Sequence, residues 1–150
     1  MISQKITKLI GEAMKVHDSV RLSTLRMLSS EFNYEKIKLQ KELTETDEQN
    51  VIRKEARKRK DAIEALWQAQ GKHDGIEERI TLEQEELNIL QEFLPPELSD
   101  EEVNQLISDS ISQLNAKTIQ DLGRVIAEVK LKSPGVDGSK VAEIVRSKLS

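Results

Sequence analysis

The chain has 150 residues, 37% of them hydrophobic and 33% charged, with a net charge of −4. That is enough apolar material to pack one ordinary domain or two small ones. The negative balance argues against a protein that coats nucleic acid with its whole surface, although not against a local basic patch. There are no cysteines, which excludes disulfides, thiolate metal sites and cysteine nucleophiles and is compatible with a reducing compartment.

Helical periodicity runs along almost the whole chain, and no segment alternates with period two, so an all-α protein is expected. The N-terminal stretch MISQKITKLIGEAM reads as an amphipathic helix with Ile6, Leu9, Ile10 and Ala13 on one face. It has neither the long apolar run nor the cleavage site of a secretory signal. Asp18 or Ser19 starts a second helix through RLSTLRMLSSEF. Thr46 and Gln49 form a T-x-x-Q capping box for a third, which ends near Gly71. A fourth spans about Asp74 to Phe93 and stops before Pro95. Ser99 and Glu102 make a second capping box, for a helix burying Val103, Leu106, Ile107 and Leu114. Thr118 and Asp121 start a sixth, carrying Ile119, Leu122, Ile126 and Val129. After SPGVDG, a last helix carries Val141, Ile144, Val145 and Leu149, with Asp137 as its cap.

LPPEL, residues 94–98, is the expected boundary, because two prolines make a stiff extended link. It divides the chain into residues 1–94, a bundle of about four helices, and residues 95–150, a domain of three. Both parts are acidic, with 16 Lys and Arg against 18 Asp and Glu in the first, and 7 against 9 in the second. Within the second part, residues 117–150 hold 7 basic and 4 acidic residues, so its last two helices are locally basic.

The most concentrated charge is RKEARKRK, residues 53–60. On a helix, Ile52, Ala56, Ile63, Leu66 and Trp67 share a stripe expected to be buried, while Arg53, Lys54, Arg57, Lys58 and Lys60 spread over the opposite side. Arg57–Asp61 and Lys60–Glu64 have the spacing of i,i+4 ion pairs, each worth about 0.3 kcal/mol. The face is either solvated surface or a polyanion contact. Arg59 turns towards the core, as Arg21 does on the second helix, and a buried charge needs a partner. The fourth helix places Glu83 in its apolar stripe with Glu86 beside it. Arg21 and/or Arg59 are therefore expected to pair with Glu83 or Glu86, as a polar clasp or as a charged site.

No catalytic constellation emerges. His17 and His73 each flank a helix end beside an aspartate and suit turns or caps. Glu83 and Glu86 lack the histidines and the second carboxylate set of a helical di-metal site. Zincin, nucleophile-elbow and P-loop motifs are missing, so no catalytic residue, metal or cofactor is assigned. GVDG, residues 135–138, could meet a phosphate through backbone N–H groups, but capping by Asp137 accounts for it. No apolar run approaches the ~18 residues of a membrane span, and a cytoplasmic protein is expected.

RLSTLRML, RKEARKRKDAIE, ELNILQEFLPPELSDEE and DLGRVIAEVK…GVDGSKVAEIV occur in the order and spacing of the YqeY-like proteins of the GatB/YqeY family. The resemblance covers essentially the whole chain. It implies an all-α fold whose C-terminal domain is similar to the tail domain of the B subunit of glutamyl/aspartyl-tRNA amidotransferase, a tRNA-recognising domain. The family is accordingly described as carbon–nitrogen ligase with glutamine as amido donor. The tail motif falls on Asp121, Leu122, Gly123, Arg124 and Val125, then on Gly135, Asp137, Gly138, Lys140 and Val141. By that resemblance Arg124, Lys130, Lys132 and Lys140 would contact phosphates, as Arg53, Lys54, Arg57 and Lys58 could on the basic run. The family's methionine at the position of Leu122 and its Met-Pro near Leu131–Lys132 are absent. The implied partners are tRNA or another RNA, or a protein. With aromatics at 3%, recognition by charge and shape is expected rather than stacking on single strands. The alternatives are a protein–protein adaptor with no nucleic-acid role, and an amidotransferase component active only with other subunits. The oligomeric state is left open.

Overall fold

A computed structural model describes residues 1–149, and they form an all-helical protein. Seven α-helices follow in order: α1 Ile2–Lys15, α2 Ser19–Leu39, α3 Glu45–Gln68, α4 Ile76–Gln91, α5 Asp100–Leu114, α6 Leu122–Lys132 and α7 Gly138–Lys148. The chain separates into two compact units, Met1–Pro95 and a second from Pro96 onward.

In the first unit Ile6 and Ala13 of α1 pack with Leu25, Leu28 and Phe32 of α2, with Val51, Ile52 and Ala56 of α3, and with Leu87 and Leu90 of α4. Asp18 caps α2 by accepting from the Arg21 backbone N–H at 3.0 Å. The cap of α3 lies two residues earlier than the sequence suggests. Thr44, not Thr46, is the N-cap. Its hydroxyl accepts from Asp47 N at 3.1 Å, and Asp47 accepts from Thr44 N at 2.9 Å. Thr44-x-x-Asp47 and Thr46-x-x-Gln49 are overlapping signatures. The first one wins because Leu43 is buried in the core just before it, and because Asp47 brings a negative charge to the positive helix end.

Trp67 also departs from expectation: it is 54% exposed. The core takes Ile63 from α3 and nothing beyond it on that helix. Helix α3 nevertheless runs on to Gln68, with Leu66 only half-buried. The α3–α4 hairpin thus extends past the core, and its turn uses Gly71 and Gly75, both at left-handed φ angles of 82° and 81° that an L side chain resists.

In the second unit Val103 and Ile107 of α5, Val125 and Val129 of α6, and Val141 and Val145 of α7 form a separate apolar core. Ser99 and Glu102 close the capping box of α5. Thr118 and Asp121 close another around a short 3-10 turn, Ile119–Asp121, that leads into α6. Asp137 caps α7, accepting from Ser139 N at 2.9 Å. Ser110, fully buried on α5, has no hydrogen-bond partner for its hydroxyl among the described residues. No helix among the described residues is long and apolar enough to cross a membrane.

Candidate polyanion interface

Three patterns of charge sit on this scaffold: carboxylates inside the first unit, paired cations on the second, and three cations of α3, Arg53, Lys54 and Arg57, without carboxylate partners among the described residues. The inner carboxylates are the part that periodicity missed. Glu48 and Glu55 of α3 are almost wholly buried. Glu48 accepts from Ile2 N at 2.8 Å, from Ser3 N at 3.3 Å and from the Ser3 hydroxyl. It thereby caps α1 from a different helix. No local motif encodes this, since the two partners lie 46 residues apart. Its only sequence signal is its register, one helical turn before Ile52.

Glu55 receives Arg59 Nη1 at 2.7 Å and Lys58 Nζ at 2.7 Å. Arg59 also donates from Nε to Glu86 of α4 at 3.2 Å. The result is a chain that ties α3 to α4, with Glu55, Arg59 and Glu86 mostly buried and Lys58 at its exposed end. Arg21 reaches neither Glu83 nor Glu86 and pairs instead with Glu92 at 2.9 Å. It sits at the start of α2, and α4 presents its C-terminal end there. Glu83 is half-buried and pairs with neither arginine. Beside Glu55, the Lys58 ammonium is held above the ordinary lysine range by hydrogen bonding and charge. Lys58 is exposed, but it is already paired with Glu55.

The tail-domain cations are similarly engaged. Arg124 donates to Asp121 at 2.8 Å and to the Leu114 carbonyl at 3.5 Å. Asp121 in turn has its carboxyl held below the usual range, first by backbone N–H groups of Lys117 and Thr118 and then by Arg124. Lys132 reaches Gln113 at 2.6 Å and Glu128 at 3.5 Å. Lys140 pairs with Asp100, whose hydrogen bond raises its pKa. Lys130 differs. It makes no ion pair among the described residues, and its ammonium lies 2.9 Å from where a Cβ on Gly138 would stand, over the first turn of α7. Gly138 leaves the space that Lys130 occupies.

On α3 the balance is different. Arg53 donates only to amide oxygens of Gln49 and Asn50, both at 3.2 Å. Lys54 and Arg57 are exposed, and no ion pair joins Arg57 to Asp61 among the described residues. The i,i+4 spacing permits that pair, but two exposed charged side chains gain little by ordering themselves. Arg53, Lys54 and Arg57 thus keep their charge available to something outside the chain. No cluster of three His, Asp or Glu side chains that could hold a metal ion occurs among the described residues.

A family model described as Yqey-like protein matches residues 3–149, nearly the whole chain. No curated protein matches it. The chain belongs to the YqeY-like family.

Proposed function

From this family membership and the charge distribution, we propose that the chain is a cytoplasmic accessory RNA-binding protein. Its tail unit is tRNA-binding-like, and it is related by resemblance to the glutamine-dependent tRNA amidotransferases. It has no catalysis of its own. The observation that carries this reading is the set of cations on α3, Arg53, Lys54 and Arg57, that lack carboxylate partners among the described residues in a chain of net charge −4. Free cations release condensed counterions when they meet phosphates, whereas cations already paired to carboxylates must first give up a partner. The α3 face is therefore the first contact. Arg124, Lys130, Lys132 and Lys140 act in support, led by the unpaired Lys130.

The test is anisotropy of labelled tRNA over a salt series. Micromolar binding is expected, with a log–log salt slope of about −3 or steeper. Changing Arg53, Lys54 and Arg57 to alanine should flatten the slope more than changing Arg124, Lys130, Lys132 and Lys140 does. A slope that neither set alters would overturn the reading.

A protein–protein adaptor is the second reading. Tyr34 and Ile37, exposed near the end of α2, favour it. Ile37 lines an open depression of about 510 Å³ with Asn33, Lys36, Gln40, Lys41 and Glu42. Binding there would be insensitive to salt.

A further inference from the structure

The α3 face carries one more feature that its charges do not explain. Trp67, the chain's sole tryptophan, is more than half exposed at the end of the helix. A tryptophan usually buries 150–250 Å², and leaving that much apolar surface in water is unfavourable unless something else covers it. Its position is also informative. At about 100° per residue, Trp67 lies at the edge of the apolar stripe nearest the cations, so that Arg53, Arg57, Lys60 and Trp67 fall within about 80° of arc, in a strip about 21 Å long. Arg53 and Arg57 lack carboxylate partners among the described residues, and the indole lies further along the helix at the edge of their face.

We infer that Trp67 stacks on an unpaired base of single-stranded RNA whose phosphates lie along Arg53 and Arg57. The inference rests on the RNA-binding reading and narrows its substrate to RNA with at least one unstacked nucleotide. Glu64 sets the polarity of the strip. It falls between Lys60 and Trp67, so a phosphate is repelled from that end and a neutral base is not. Charge contacts thus belong to the first two turns and stacking to the last. The low aromatic content excludes a platform of several rings, as used by proteins that coat single strands. One indole beside a cationic strip needs only one base.

The lone tryptophan also supplies the readout. The full-length protein is titrated with a single-stranded oligouridine, a blunt RNA duplex and inorganic polyphosphate, following Trp67 emission and, in parallel, anisotropy of labelled RNA. All three ligands should bind in a salt-dependent manner, and only the single strand should quench Trp67. Trp67→Ala should weaken the single strand roughly ten-fold, since stacking on one base is worth about that by alanine substitution. It should leave polyphosphate affinity and the salt slope unchanged, and Trp67→Phe should restore most of the loss. Arg53→Ala with Arg57→Ala should flatten the slope by about 1.4, at about 0.7 per phosphate on single strands. Glu64→Gln should tighten single-strand binding at low salt.

Binding of the single strand with unchanged Trp67 emission and an unaffected Trp67→Ala variant overturns the stacking role while the RNA-binding reading stands. Equal weakening of RNA and polyphosphate by Trp67→Ala overturns it too, since the indole would then serve the fold. A shift in Trp67 emission with protein concentration alone overturns it in favour of self-association. Failure of all three ligands to bind removes the RNA-binding reading and this inference together.

Discussion

At the scale of single residues, the most consequential side chain is Glu48. The first turn of a helix leaves backbone N–H groups without partners, and Met1 supplies no side-chain cap to α1. Glu48 supplies that cap from α3, accepting from Ile2 N, Ser3 N and the Ser3 hydroxyl while fully buried. Its negative charge also faces the positive end of the α1 dipole. Removing it strands three partly buried donors. Glu48→Ala is expected to cost about 2–3 kcal/mol, measured by urea denaturation, and to speed amide exchange throughout α1. Glu48→Gln keeps an acceptor and should cost less. If the alanine variant is as stable as the parent, α1 is held by its apolar face alone. Neither Glu48 nor Glu55 was legible beforehand as a buried acid, because helical periodicity assigns charged residues to the wet side. Arg59 was legible as inward-facing for the converse reason: it interrupts an apolar stripe. What the stripe could not supply was the partner at close range, Glu55, four residues away on the same helix.

At the scale of elements, the start of α3 shows how local signals compete. Two T-x-x-acid-or-amide signatures overlap by two residues, and sequence spacing alone does not rank them. The choice is made by Leu43, which enters the core, and by the charge of Asp47, which Lys41 reaches at 2.8 Å. Thr44→Ala should therefore destabilise the protein by about 1 kcal/mol, and Thr46→Ala by much less. The same cap predicts a pH dependence. The hydrogen bond from Lys41, followed by those from Thr44, lowers the Asp47 pKa from an ordinary 3.8 to about 2. A depressed folded-state pKa adds stability that is full above the unfolded value and is lost as pH falls from there through the folded value. The cap should hold above about pH 4 and weaken towards pH 2. An NMR titration of the Asp47 carboxyl should give a midpoint near 2 in the parent, and a midpoint moved towards 3.8 in Lys41→Ala. The starts of α2, α5 and α7 are readable because their caps stand alone: Asp18, Ser99 with Glu102, and Asp137. Thr118 with Asp121 instead opens a 3-10 turn that leaves Ile119 exposed, and α6 begins only at Leu122. Trp67 was misjudged for another reason. A periodic stripe shows which side of a helix is apolar, not how far along that side a neighbour extends, and the core stops at Ile63.

At the scale of the whole molecule, two apolar cores divide the chain, and their sizes set how each unit behaves alone. The helical class follows from periodicity, and the prolines at 95 and 96 mark where one core's apolar residues end. The first unit adds to its core the buried Glu55–Arg59–Glu86 chain and the Glu48 cap, both of which join helices distant in sequence. The second unit relies on three helices of 15, 11 and 11 residues and on a core made largely of valines. At about 55 residues, a domain buries only roughly 60% of its unfolded surface and is marginal. It also carries the unsatisfied hydroxyl of Ser110 in that core. Its helices are locally well specified, α5 and α7 by side-chain caps at their starts and α6 by the Thr118–Asp121 box of the 3-10 turn before it, so short-range order should survive separation even where stability is small. Expressed separately, residues 1–95 and 96–150 should both be helical by circular dichroism, and the second should melt at the lower temperature and over the broader range. A second fragment that is unstructured alone, yet helical in the full chain, would mean that its core is completed by the first unit. The two cores would then count as one cooperative structure.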